Sequence, residues 1–293
     1  MTAVTTLREA PPRTWLFVPA LRAPEWLPKA KATGTDAIIV DLEDATAPEE
    51  KERAREVVRA LSLAGERPWI FVRVNAAPGS LLGPDLDAAV ASGAAGIVLP
   101  KASRAEDVAR VAGDRLLTES RGAGLAILVM VETARGVLRA LEIAESDPRV
   151  IGIAFGGEDL SADLGITRTR EDTEFITARS LVALAAAAAG VACIDTPWFD
   201  IADAEGAGRE ARSARQLGFS GKLVIHPSHV AHVNAAFTPD AREAEGARRI
   251  IEAFDAAVAA GNGIAKLDGR MIDLPVVVAA RRVLARAERG SQK

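Results

Sequence analysis

Apolar residues gather into eight short runs, at positions 15–18, 37–40, 69–72, 96–99, 126–131, 150–155, 191–194 and 222–225. Most are near-continuously apolar rather than alternating, the pattern of strands buried on both faces as in parallel sheets. The intervals between them read as helices. Residues 48–63 carry Glu and Arg on one face and Ala54, Val57, Val58 and Leu61 on the other, and residues 177–189 are dominated by Ala, Leu and Val. Eight strands alternating with helices over roughly 225 residues predict an α/β fold of the (β/α)8 TIM-barrel type. A doubly wound open sheet would normally place a glycine-rich turn after its first strand. Pro19-Ala20-Leu21-Arg22 is no such turn.

The barrel domain is expected over residues 10–235, with a C-terminal helical extension over 236–293. Within the extension, 239–260 reads as a helix, Gly261-Asn262-Gly263 as a break, 265–273 as an extended or turn segment, and 274–287 as a second helix. A closed barrel does not need this tail, so it is expected to act as a lid or as a subunit-contact arm.

Composition narrows the class. The chain has 293 residues, with 36 Lys+Arg against 40 Asp+Glu for a net charge of -4, which suits an ordinary globular protein. No basic block of five or more residues appears, so neither nucleic acid nor a membrane surface is an expected partner. No apolar run approaches the ~18 residues of a membrane span. Residues 1–13 lack the apolar core of a signal peptide, which makes a cytoplasmic protein the expectation. The single cysteine, Cys193, cannot form an internal disulfide and reads as core filling.

A parallel barrel places its chemistry at the C-terminal ends of its strands. After the second run come Asp41, Glu43 and Asp44; after the third, Arg73 and Asn75; after the fourth, Pro100 and Lys101. Glu132 and Thr133 follow the fifth, Gly156, Gly157, Glu158 and Asp159 the sixth, Asp195 and Pro197 the seventh, and His226 and Pro227 the eighth. Carboxylates converging on one mouth repel one another unless a cation sits among them. Oxygen donors without Cys favour a hard ion, Mg²⁺ or Mn²⁺, for which Glu132 and Asp159 on adjacent strands are suited. Taken singly, each acid is equally explained as a helix cap or ion-pair member. Arg73 invites either an anionic ligand or a structural bridge to Asp41 or Glu43. His226, His229 and His232 lie at intervals of three, but a zinc reading lacks a further ligand, and the last two are expected on an exposed helix face.

Together these residues resemble the citrate lyase β-subunit-like proteins of the HpcH/HpaI aldolase superfamily, which include malyl-CoA and citramalyl-CoA lyases. The resemblance runs from Arg13 through Pro275. It is carried by Asp41-Leu-Glu-Asp-Ala45, Arg73-Val-Asn75, Pro100-Lys101, Val131-Glu-Thr133, Phe155-Gly-Gly-Glu-Asp-Leu160, Ile194-Asp-Thr-Pro197, Gly221-Lys222, Ile225-His-Pro227 and Met271-Ile-Asp-Leu-Pro275. It implies a (β/α)8 barrel with Mg²⁺ on Glu132 and Asp159, and with Asp41, Glu43 and Asp44 holding metal waters and Arg73. The implied substrate is a β-hydroxyacyl-CoA cleaved between its α and β carbons, with Asp273 of a neighbouring subunit's arm protonating the acyl-CoA enolate. A homo-oligomer, habitually a trimer, is implied with it. Arg22 and Lys51 match cations expected to meet coenzyme A. The other branches of the resemblance are a pyruvate-class aldolase on free 4-hydroxy-2-oxo acids and a citrate lyase β subunit working on an acyl-carrier thioester. Two departures stand out: Ala20 in place of the usual glycine, and His229 in place of the usual glutamine.

Overall fold

The computed structural model describes residues 3–65, 67–118, 122 and 124–291. The chain divides into two compact units, Met1–Asn234 and Ala235–Lys293.

In the first unit eight parallel strands close into a barrel in chain order. They are β1 (Thr14–Pro19), β2 (Ala37–Asp41), β3 (Trp69–Arg73), β4 (Gly96–Leu99), β5 (Ala126–Val131), β6 (Val150–Phe155), β7 (Ala192–Asp195) and β8 (Gly221–Val224). Closure comes from β1 pairing with β8, Trp15 opposite Leu223. The barrel and its strand positions follow the apolar runs, because a strand covered on both sides has no polar face to interrupt its pattern.

Side chains alternate between the barrel interior and the helix layer. Trp15, Ala37, Ile39, Phe71, Val98, Ala126, Leu128, Met130, Ala154, Ala192, Ile194 and Leu223 belong to one buried cluster. Trp15 meets Phe71 edge-to-face with centroids 4.9 Å apart. Gly96 lies against the Phe71 ring with no space for a Cβ. A helix at Ala3–Glu9, ahead of the expected barrel boundary, adds Leu7 to this cluster, and its Arg8 donates to the Val150 carbonyl at 2.7 Å.

The second unit contains the helix Ala241–Ala259, a hairpin of β9 (Ala265–Leu267) and β10 (Arg270–Ile272), and the helix Leu274–Ser291. Asp240 caps the first helix in a reciprocal box with Glu243. The expected extended segment is this hairpin, turned at Asp268-Gly269, where both residues take positive φ. Asp273 stands just before the last helix, and its Oδ1 accepts the Val276 amide at 3.4 Å. Among the described residues no helix is long and apolar enough to cross a membrane.

Candidate active site

Alternation decides which strand tips serve the mouth of the barrel. Asp41 continues the inward series of Ala37 and Ile39, and Arg73 follows Phe71. Glu132 continues Ala126, Leu128 and Met130, and Gly156 follows Ala154. These four therefore face one another at the C-terminal end of the barrel.

Arg73, only 8% exposed, places its fork on Asp41, with Nε 2.7 Å from Oδ1 and Nη2 2.6 Å from Oδ2. Its remaining nitrogen, Nη1, lies 2.9 Å from Glu43 and 3.6 Å from Asp44, and the guanidinium stacks over the Phe17 ring at 4.8 Å. Asp41 also accepts the amides of Glu43 and Ala45, so it fixes the β2 loop and the arginine together. Burial opposes the charge on Arg73, but Asp41 and the neighbouring acids outweigh it and raise its pKa further. Burial likewise raises Glu43, against the pull of Arg73 and Lys101.

Glu132 is 1% exposed. Its Oε1 accepts the Lys101 backbone amide at 2.7 Å, and among the described residues it has no cation within ion-pair distance. Burial, reinforced by the charges of Asp159 and Glu43, pushes its pKa up to about 8. Asp159 lies in the first turn of the helix Gly157–Leu164, half-buried, where the helix N-terminus favours an anion. A hard divalent cation fits this pair. It would neutralise a buried carboxylate that, among the described residues, has one hydrogen bond and no counter-ion, and an ion that keeps most of its waters needs only one or two protein carboxylates. Among the described residues no group of three metal-ligating side chains converges.

From the sequence Lys101 is only a strand-tip residue. It adopts a left-handed backbone, φ 55°, and brings Nζ to 2.5 Å from Glu43 Oε1 and 3.3 Å from Asp44 Oδ1. Strand alternation alone would have turned it away from the mouth.

Other expected positions are placed differently. Arg22 is exposed after β1, bonded to Glu25 at 2.8 Å and stacked on Trp26. Lys51 is buried, and its ammonium donates to the carbonyls of Leu42 and Glu43 at 2.7 and 2.6 Å, so it clamps the β2 loop instead of offering a solvent-facing charge. His229 is 1% exposed, contrary to its expected exposed face, and His232 is exposed. The His229 imidazole lies 3.3 Å from the Ile201 carbonyl, a contact that lets it be buried. Asp195 does not face the mouth. Its parity is opposite to that of Ile194, and it points into the helix layer, where Arg179 and Lys222 hold it. Lys222 joins Asp195, Glu210 and the Thr196 carbonyl from a position with no solvent exposure. The same alternation, applied to Leu223, would have revealed that outward turn from sequence.

The model of the family described as HpcH/HpaI aldolase/citrate lyase matches residues 13–227. Citrate lyase subunit beta of Escherichia coli strain K12 is 37% identical over 282 residues, covering 94% of this chain and 93% of that protein. The (3S)-malyl-CoA thioesterase of Cereibacter sphaeroides strain KD131 is 38% identical over 281 residues, covering 95% of each. Among solved structures, the Mycobacterium tuberculosis protein CitE in complex with magnesium, acetoacetate and coenzyme A superposes with a TM-score of 0.81 at 36% identity, over 96% of this chain and 100% of that one. On the matched barrel and these relatives, the chain belongs to the HpcH/HpaI aldolase/citrate lyase family.

Proposed function

We propose that the protein is a Mg²⁺-dependent carbon–carbon lyase that cleaves a β-hydroxyacyl-CoA of the malyl-CoA or citramalyl-CoA kind to an acyl-CoA and a 2-oxo acid. The observation that carries the reading is Glu132, a buried carboxylate with no counter-ion among the described residues, opposite Asp159 at the mouth of the barrel. Magnesium together with coenzyme A in the CitE structure supports the same assignment. Glu132 and Asp159 would hold the ion, which when bound supplies Lewis-acid polarisation of the developing carbonyl.

The chain's own residues set the rest. Asp41 holds the Arg73 fork, leaving the Nη1 edge, beside Glu43 and Asp44, to orient the carboxylate end of a substrate. Lys51 stiffens the loop that carries both acids. Arg22, exposed and stacked on Trp26, is suited to a phosphate of coenzyme A. The proposal retains Asp273, supplied by the arm of a neighbouring copy, as proton donor to the acyl-CoA enolate. It therefore includes a homo-oligomer, a trimer by the habit of the resemblance, working in the cytoplasm.

Thioester hydrolysis is the second reading, favoured by the Cereibacter sphaeroides relative named a (3S)-malyl-CoA thioesterase. A mass-spectrometric product assay separates the two. Purified protein is given malyl-CoA, β-methylmalyl-CoA, citramalyl-CoA or free 4-hydroxy-2-oxo acids with Mg²⁺, with and without EDTA. An acyl-CoA plus a 2-oxo acid, lost with EDTA, is the expected result. Free CoA with intact malate would make it a thioesterase, and cleavage of the free acids alone would make it an aldolase.

A further inference from the structure

Lys101 is the residue through which the acid-bearing strand tips are joined. A non-glycine residue at φ 55° carries about 1 kcal/mol of backbone strain, so the surroundings must hold it there. That backbone turn aims both of its donors into the mouth. The amide reaches Glu132 at the end of β5, at 2.7 Å. The ammonium reaches Glu43 and Asp44 beyond β2 at 2.5 and 3.3 Å, and Asp159 beyond β6 at 3.7 Å. Among the described residues Asp159 has no other cation within 4 Å.

We propose that Lys101 is a tethered counter-ion for these carboxylates: it holds them in register without metal and competes with a divalent cation for them, so that it sets how tightly the metal binds. This rests on the reading that Glu132 and Asp159 are the metal ligands. Two electrostatic effects act in the same direction. A fixed ammonium 3.7 Å from Asp159 repels an incoming cation at that oxygen. It also relieves the mutual repulsion of Glu43, Asp44 and Asp159, which would otherwise draw the cation in more strongly. Removing the charge should therefore tighten metal binding, whereas a residue needed only to shape the site would weaken it on removal.

The test is a Mn²⁺ titration followed by the electron paramagnetic resonance signal of the free ion, on wild type, Lys101→Met and Lys101→Arg. Methionine keeps the backbone amide and most of the stem but not the charge. The expected outcome is about tenfold tighter Mn²⁺ binding for Lys101→Met and near-wild-type binding for Lys101→Arg. Metal-free Lys101→Met should also melt lower than wild type and gain more on adding Mn²⁺. If methionine does not yield folded protein, Lys101→Gln makes the same comparison. Unchanged or weaker binding in the uncharged variant overturns the proposal. Glu132→Ala is the control for the reading beneath it. Wild-type Mn²⁺ binding in that variant would remove the metal site from Glu132 and take the Lys101 proposal with it. Lost binding there, with no tightening in Lys101→Met, would overturn the Lys101 role alone.

Discussion

Gly156 and Glu132 are packed so closely that a Cβ on residue 156 would fall on the glutamate's Oε2 and Cβ. The glycine's φ is -107°, so its role is space and not backbone freedom. Gly156→Ala should therefore push the Glu132 carboxylate aside while the barrel still forms. Displacement of a reacting group by about an ångström lowers turnover on the order of 100-fold. Steady-state kinetics alongside circular dichroism check this, and wild-type turnover would show that Glu132 need not occupy its present position.

Glu132 also gives the metal-free protein a defined pH dependence. Its pKa of about 8 lies above the 4.5 of an ordinary glutamate. Below the lower value the group is protonated in both folded and unfolded chains and contributes nothing. Between the two, the unfolded chain ionises first, so this residue lowers stability as pH rises and the loss levels off above about pH 8. With EDTA present, wild type should be less stable at about pH 9 than Glu132→Gln, by an amount on the order of a few kcal/mol, and the two should converge near about pH 4. Denaturant melts at both pH values measure the difference. Metal reverses the trend, because binding must displace the proton. Calorimetry in buffers of different ionisation enthalpy should detect up to about one proton released per ion below pH 8.

Arg73→Lys tests the fork. A lysine would keep one positive charge near Asp41 but could not satisfy both of its oxygens or retain the stacking on Phe17. A buried acceptor left short of a partner should lower stability by about 1–3 kcal/mol, and turnover should fall with the misplaced Nη1 edge. Thermal melts and kcat measured together decide between the roles. Lost stability with unchanged kcat would make Arg73 a structural clamp for the β2 loop.

The barrel was legible because doubly covered strands leave uninterrupted apolar runs, and its mouth because polar residues follow those runs. Asp41, Arg73, Glu132 and Gly156 could be placed at their strand ends and given an inward direction by parity alone. Strand-end position alone puts Asp195 at the mouth, whereas parity turns it outward with Lys222. Strand-end position puts Lys101 at the mouth, but parity turns it away, since its direction comes from a left-handed residue that no local pattern announces. The resemblance makes Lys51 a coenzyme A cation, and the spacing of the histidines puts His229 on an exposed helix face; neither expects burial. What buries them is carbonyls supplied by distant or folded-back backbone, at Leu42, Glu43 and Ile201, and these are fixed only by the tertiary structure.

Lys222 lies on the opposite side of the strand wall from the mouth, and its loss should be felt chiefly as stability. The network there sets three cations, Lys222, Arg179 and Arg168, against three buried carboxylates, Asp195, Glu210 and Asp172, with Arg168 also reaching the exposed Glu158. Burial raises Asp195, yet Lys222 and Arg179 overcome it and hold that carboxyl below its ordinary value. Burial also pushes Glu210 up to about 7, so it is the acid most ready to accept a proton. Lys222→Met removes one cation and leaves a buried excess of negative charge, at about 3–5 kcal/mol. Lys222→Arg should not rescue it, because a position with no solvent exposure has no room for the larger head. Adding Glu210→Gln to Lys222→Met restores the balance of formal charge, and the double variant should recover part of the loss. Denaturant unfolding of the two single variants and the double variant, read as a thermodynamic cycle, measures that recovery. Strictly additive losses would mean that Lys222 and Glu210 are not energetically coupled, despite the 2.6 Å between them.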